Sequence, residues 1–185
     1  MSLEHYLNTL AGKEQPPRHA DLLRLSGMTP EELGLLRRRW PNINAQRRRE
    51  MLQQLVEMAE DNLELDFTDV FRFCLTDKSP DVRAKALEGL WECDDRTLIT
   101  PLTILLRDDP SETVRAAAAS TLGKFAVLAQ TGKMLPKDRR MISETLIQTI
   151  RDSQERPEVK RRAIEAVAPF ATQEVQQIIR DAYKS

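Results

Sequence analysis

The sequence predicts an all-α protein, an α-solenoid of antiparallel helix pairs. Three observations carry this reading. Apolar residues recur at three- and four-residue spacing along most of the chain, and strand-like alternation is nearly absent. The breaks between these stretches are short and contain Asp, Ser, Pro or Gly, so consecutive helices must lie antiparallel and adjacent. A nine-residue pattern opening on Val also occurs three times. Composition agrees: of 185 residues 41% are hydrophobic and 31% charged, which supports a core and argues against disorder.

The elements follow in order. Residues 1–17 are weakly periodic and end in Gln15-Pro16-Pro17, a poor helix interior. A short helix is expected over 18–25, with Leu22, Leu23 and Leu25 inward and a stop near Gly27. Thr29-Pro30-Glu31-Glu32 reads as a helix start, with Thr29 as N-cap, Pro30 where no amide partner is needed and Glu32 closing a capping box. Pro41 ends that helix near Trp40, which is expected as a buried anchor. Asn44 caps a helix over 45–60 whose Met51, Leu52, Leu55, Val56 and Ala59 share a face. Asp66 caps another through Leu75, with Val70, Phe71 and Cys74 apolar. Helices follow at about 80–92, 96–106, 111–129, 138–151, 157–168 and 172–183, and 131–137 is a longer polar loop. Residues 1–44 are thus an N-terminal helical cap region and 45–185 the repeats, the last incomplete. Val175, Ile178, Ile179 and Ala182 line one face of the final segment, as in the first helix of a further pair. It is either a terminal cap or the front of a longer protein, and the second is expected.

The repeat is Val82-Arg83-Ala84-Lys85-Ala86-Leu87-Glu88-Gly89-Leu90, then Val114 to Leu122, then Val159 to Val167. The first, fifth and ninth positions lie on one helix face. Small residues at the fifth (Ala86, Ala118, Ala163) and eighth (Gly89, Thr121, Ala166) positions allow a neighbouring helix to come close. Residues 48–56 read as a degenerate copy with Arg48 in place of Val, Arg49 basic, and Leu52 and Leu55 inside. Asp77 and Asp109 each precede the Val by five residues, whereas Asp152 stands two residues further away, so that turn is expected to be remodelled. A carboxylate there can accept open amides at the start of the second helix. Arg83 or Arg115 can reach a carboxylate of its own or the next repeat, setting acid and base in a ladder.

These segments resemble HEAT repeats, and the matching residues are Asp77 with Arg83 and Asp109 with Arg115. The resemblance covers 45–183 well and 18–44 loosely. The stretches 25–40, Arg47-Arg48 and 88–92 are also similar to bacterial HEAT-repeat proteins. It implies a right-handed superhelix whose second helices line the concave side, and it is nearly silent on function. On that layer Lys85, Glu88, Glu92, Ser120, Lys124, Arg162 and Glu165 are expected to be exposed and to bind a protein partner or a flexible peptide. Mixed charge there gives orientation more than raw affinity.

Net charge is -1, but it is unevenly laid out: 18–49 carry +5, 50–112 carry -10 and 113–185 carry +5. Arg37, Arg38, Arg39, Arg47, Arg48 and Arg49 form a candidate anion-binding set, for nucleic acid or an anionic surface. The competing reading is structural: the first triplet offsets a helix dipole and the second faces the acidic middle section. Three consecutive residues fan over about 300° of a helix, so no triplet can all face one ligand. HEAT-like folds also include DNA glycosylases, which need an aromatic-lined cleft and a carboxylate. Only Trp91 suggests itself, and no cleft can be assembled. His5 and His19 lack partners at metal spacing, and there is no Gly-rich phosphate loop or Ser-centred elbow. The acidic cluster from Glu57 to Asp66 and the pairs Asp94-Asp95 and Asp108-Asp109 read as solvated faces or helix caps, with a weak divalent-cation site as the alternative. Cys74 and Cys93 read as reduced buried thiols, and no apolar run exceeds five residues (125–129). The expectation is a cytoplasmic, non-catalytic interaction scaffold with no cofactor, no metal and no membrane insertion.

Overall fold

A computed structural model describes residues 6–7, 19–132 and 134–182. The readings of 1–17, apart from Tyr6 and Leu7, and of Arg18, Lys133 and 183–185 fall outside them. Two compact units divide the chain, one up to Glu92 and one from Cys93.

In the first unit, α1 (His19–Leu22) tightens into a 3-10 turn at Leu23–Leu25. Leu22 and Leu25 are fully buried, but Leu23 is 48% exposed, against expectation. In a 3-10 turn residues three apart eclipse each other, so Leu22 and Leu25 align and Leu23 is swung away. Gly27, at φ +59, closes the turn, and its N–H donates to Asp66 O at 2.8 Å. The capping box forms as read: Glu32 N donates to Thr29 Oγ1 (3.3 Å) and Thr29 N to Glu32 Oε2 (2.9 Å). It starts α2 (Pro30–Arg39). Asn44 Oδ1 accepts Arg47 N at 2.8 Å and starts α3 (Ala45–Asp61). There Met51, Leu52, Leu55 and Val56 are buried and Met58 joins them, while Ala59 is half-buried. Asp66 Oδ1 accepts Thr68 N at 2.9 Å ahead of α4 (Thr68–Cys74), and α5 (Pro80–Gly89) completes the unit. Helix α1 packs on α3, α2 on α4, and α5 against both α3 and α4.

In the second unit a 3-10 turn (Arg96–Leu98) leads into α6 (Ile99–Asp108), followed by α7 (Glu112–Gln130). Then come α8 (Pro136–Arg151), α9 (Pro157–Val167), a 3-10 turn (Ala168–Phe170) and α10 (Gln173–Ala182). Helices α6 and α7 form one antiparallel pair and α8 and α9 the next. First helices α6 and α8 lie side by side, as do second helices α7 and α9, and α10 packs against α9. The pairs are tied by Arg96 Nε to Asp138 Oδ2 (3.1 Å) and Gln130 Nε2 to Pro169 O (2.7 Å).

The all-α class and the stacked antiparallel pairs are therefore observed, and no strand occurs among the described residues. Val82, Val114 and Val159, with Ala86, Ala118 and Ala163, and with Leu90, Leu122 and Val167, all have no exposed surface. The small eighth position also has its reason. A Cβ on Gly89 would stand 2.5 Å from the Phe71 ring, closer than packed carbon atoms allow. No helix among the described residues is long and apolar enough to cross a membrane.

Candidate functional site

Each second helix carries a basic residue at its fourth position: Arg48 in α3, Arg83 in α5, Arg115 in α7 and Lys160 in α9. The arginines fold back over their helix starts. Arg48 Nη1 donates to Ile43 O (2.6 Å), Arg83 Nη1 to Asp77 O (2.7 Å) and Arg115 Nη1 to Asp109 O (2.8 Å). Two also reach forward to the turn of the next pair. Arg48 Nη2 meets Asp77 Oδ1 at 3.0 Å, and Arg115 grips Glu155 through Nε (2.9 Å) and Nη2 (2.7 Å). The ladder thus runs from a helix to the following turn. For Arg115 the acid is Glu155, which the sequence reading passed over, and Asp109 serves it through its carbonyl.

Asp77 does several things at once. Its Oδ2 accepts Trp40 Nε1 at 2.7 Å, and its Oδ1 accepts both Arg48 and the Ser79 amide (2.8 Å). Trp40 is indeed a buried anchor, 2% exposed, and also meets Phe73 edge-on at 5.9 Å. In the second unit these tasks are divided. Asp152 Oδ1 accepts Gln154 N at 2.9 Å and shapes the turn, while Glu155 takes the arginine. The expected remodelling is this division. Burial pushes the Glu155 carboxyl up, but the hydrogen bonds from Arg115, the Arg156 amide and the charge of Lys160 leave it below its ordinary value.

The fourth-position rule also corrects the degenerate copy, which is 47–55 and not 48–56. Arg47, 5% exposed, holds the Val position, and Met51 and Leu55 follow at the fifth and ninth with no exposed surface. Leu52 misleads because the sixth position is buried as well, as Leu87 is in α5 and Ala119 in α7. Of the candidate anion-binding arginines, Arg47 and Arg48 are therefore buried, and Arg37 lies over the Phe73 ring at 5.6 Å. Arg39 is half-buried, and Arg38 and Arg49 are exposed.

Along the second-helix layer, Glu88 and Glu92 are exposed, and half-buried Lys85 bonds to Glu88. Ser120 is half-buried and its hydroxyl donates to Ala116 O; Lys124 is half-buried. Half-buried Arg162 is held by Glu158 (3.0 Å) and Glu165 (3.4 Å), with Glu165 exposed. Lys85, Glu88 and Glu92 belong to the first unit and the other four to the second.

Helices α8, α9 and α10 enclose an open groove of about 950 Å³ with Ile150, Ile164, Ala168, Ile178 and Ile179 among its walls. A left-handed Ala171 (φ 52) turns the chain into α10, Thr172 Oγ1 caps it by accepting Val175 N (3.2 Å), and Val175 is its buried anchor. Ile178 and Ile179 are left half-buried. The rim is charged: Arg151 pairs with Glu174 across α8 and α10 (2.7 Å) and Arg161 with Glu165 (2.7 Å), with Lys160 beside them. Such a site offers apolar contact with charged orientation at its edge. The sequence reading saw the stripe of Ile178, Ile179 and Ala182 on α10 but not what it faces, and of the groove's residues it named only Glu165 as a partner contact.

Trp91 is 55% exposed, and among the described residues no group of three or more His, Cys, Asp or Glu could hold a metal ion. Cys74 and Cys93 are free, and burial, then the charge of Asp77, raises the Cys74 thiol well above its ordinary value.

Fold and turns define a helical-repeat protein built of stacked helix pairs. A family model of HEAT repeats matches residues 68–136, from α4 through α7 to the first residue of α8, so this stretch is similar to HEAT repeats. No curated protein matches the chain.

Proposed function

We propose that the protein is a non-catalytic interaction module that holds a partner protein or a peptide. The observation that carries this is the open apolar groove between α8, α9 and α10, about 950 Å³ with paired charges at its rim. Grooves of this kind suit side chains that insert while charged neighbours set orientation. Lys85, Glu88, Glu92, Ser120, Lys124, Arg162 and Glu165 extend the contact along the second helices in this reading. The setting proposed is the bacterial cytoplasm, supported by the similarity to bacterial HEAT-repeat proteins and by two free thiols.

A photo-crosslinking residue at Gln177, on the groove wall, tests this in lysate of the source cell, with one at Leu63, 86% exposed in the first unit, as control. A protein adduct specific to position 177 and lost with Ile178→Asp is expected. Equal labelling at both positions, or none at 177, would overturn the reading. Lys124→Glu with Arg162→Glu is expected to weaken the same partner if the second-helix faces take part.

A further inference from the structure

This inference rests on the interaction reading and specifies what the groove takes. The second unit contains its own template. Helices α7 and α9 are copies whose first residues are Glu112 and Pro157. On α7, the positions turned toward the next pair are closed. A Cβ on Gly123 would stand 3.1 Å from Ala166 Cα, Ala119 has no exposed surface, and Arg115 holds Glu155 in the turn before α9. Counted from the helix start, the matching positions one pair later are Ala168, Ile164 and Lys160, and all three line the groove. The groove therefore repeats, on α9 and the first residue of the 3-10 turn after it, the surface with which α7 grips an acidic turn and the helix after it.

We propose that the groove binds an amphipathic helix of a partner protein, preceded by an acidic residue that pairs with Lys160. The helix carries a small residue where it crosses Ala168. Charge fits this occupant. The neighbouring rim cations Arg151 and Arg161 already hold Glu174 and Glu165; Glu158, the carboxylate nearest in sequence to Lys160, pairs with Arg161 and Arg162, and Glu155 is gripped by Arg115. A folded second copy cannot offer the acids that precede its own second helices, because Asp77, Asp109 and Glu155 are each enclosed in turns of their own units, with side chains or residues less than one-tenth exposed.

The probe is a fluorescent peptide with the sequence of residues 152–168, which supplies Glu155 and the α9 face, titrated into the full chain. Binding at roughly 10–100 µM is expected, since ordering a short helix lowers affinity. Ile178→Asp in the protein should weaken it at least tenfold and Lys160→Glu about fivefold, with circular dichroism unchanged. A Glu155→Lys peptide should recover most of the loss on the Lys160→Glu protein. No binding at 1 mM peptide, or binding indifferent to Lys160→Glu, would overturn the proposal. So would a concentration-dependent dimer abolished by Ile178→Asp, which would make a second copy the occupant. If the peptide fails while the adduct at position 177 still depends on Ile178, the helix assignment falls and the interaction reading stands. If both fail, both fall.

Discussion

The turn at Asp77 and the turn at 152–155 solve the same problem in two ways. Each must organise the start of a second helix and hold the basic residue of the pair before it. In the first unit one carboxylate does both and receives an indole as well; its side chain is 3% exposed and takes Trp40, Arg48 and the Ser79 amide. In the second unit Asp152 organises the turn and Glu155 takes Arg115. Concentrating the bonds in one residue makes the joint compact but exposes it to a single substitution. Dividing them between two residues, Asp152 and Glu155, lengthens the turn and lets each part fail alone. The helix contacts differ in the same sense: Phe71 fills the space over Gly89, while Gly123 meets Ala166 with small groups on both sides.

The comparison can be broken most severely at Asp77. Asp77→Ala leaves Arg48 and Trp40 without this partner in a buried setting and should cost about 3–5 kcal/mol in chemical denaturation. A loss below 1 kcal/mol would show that the concentrated joint is not what holds α3 to the following turn. Glu155→Ala should cost less, about 2 kcal/mol, because the turn amide remains served by Asp152.

Acid sharpens the same contrast. The Glu155 carboxyl is lower in the folded protein than its ordinary 4.5, so its ionised form stabilises the fold. That contribution is complete above about pH 4.5 and drains away as pH falls through the lowered folded value. Denaturation midpoints at pH 6 and pH 3 should therefore converge in Glu155→Gln relative to the parent. A pH dependence unchanged by Glu155→Gln would remove Glu155 from the account.

The glycine contacts come next. Gly89→Ala should destabilise by about 1–2 kcal/mol, since displacing the buried Phe71 ring outweighs the gain of about 1 kcal/mol in helix propensity. Gly123→Ala, with its new Cβ at 3.1 Å from Ala166, needs a shift of only tenths of an ångström and should fall within about 1 kcal/mol of the parent. Equal losses at both sites would erase the distinction between the two contacts. The smallest effect belongs to Ala171→Gly. It relieves a left-handed alanine and should stabilise by about 0.5–1 kcal/mol, read as a raised Tm.

Much of this was legible in the residues. The spacing of Val82, Ala86 and Leu90 and its two echoes carried the helix faces, because a buried stripe must follow the 3.6-residue period wherever the helix lies. The capping box at Thr29 and the cap at Asn44 were legible because they are local, closing within three residues. Arg48 was misplaced by one position because its role depends on where α3 starts and on Asp77, 29 residues away. Glu155 was passed over for the same reason: only the approach of α9 to α7 brings it to Arg115, 40 residues earlier.

The chain's order of residues alone determined that it would form paired helices, with small side chains at the crossings and caps at the starts. Those outcomes depend on neighbours within a turn or two, where geometry is set by backbone hydrogen bonding and side-chain volume. The tertiary structure alone decided which acid meets which arginine, which of the clustered arginines are buried, and that the apolar faces of α9 and α10 open into a groove. These depend on how helices far apart in the chain stack. A periodic pattern states which face of a helix is apolar; what that face meets is determined only once the helices are packed.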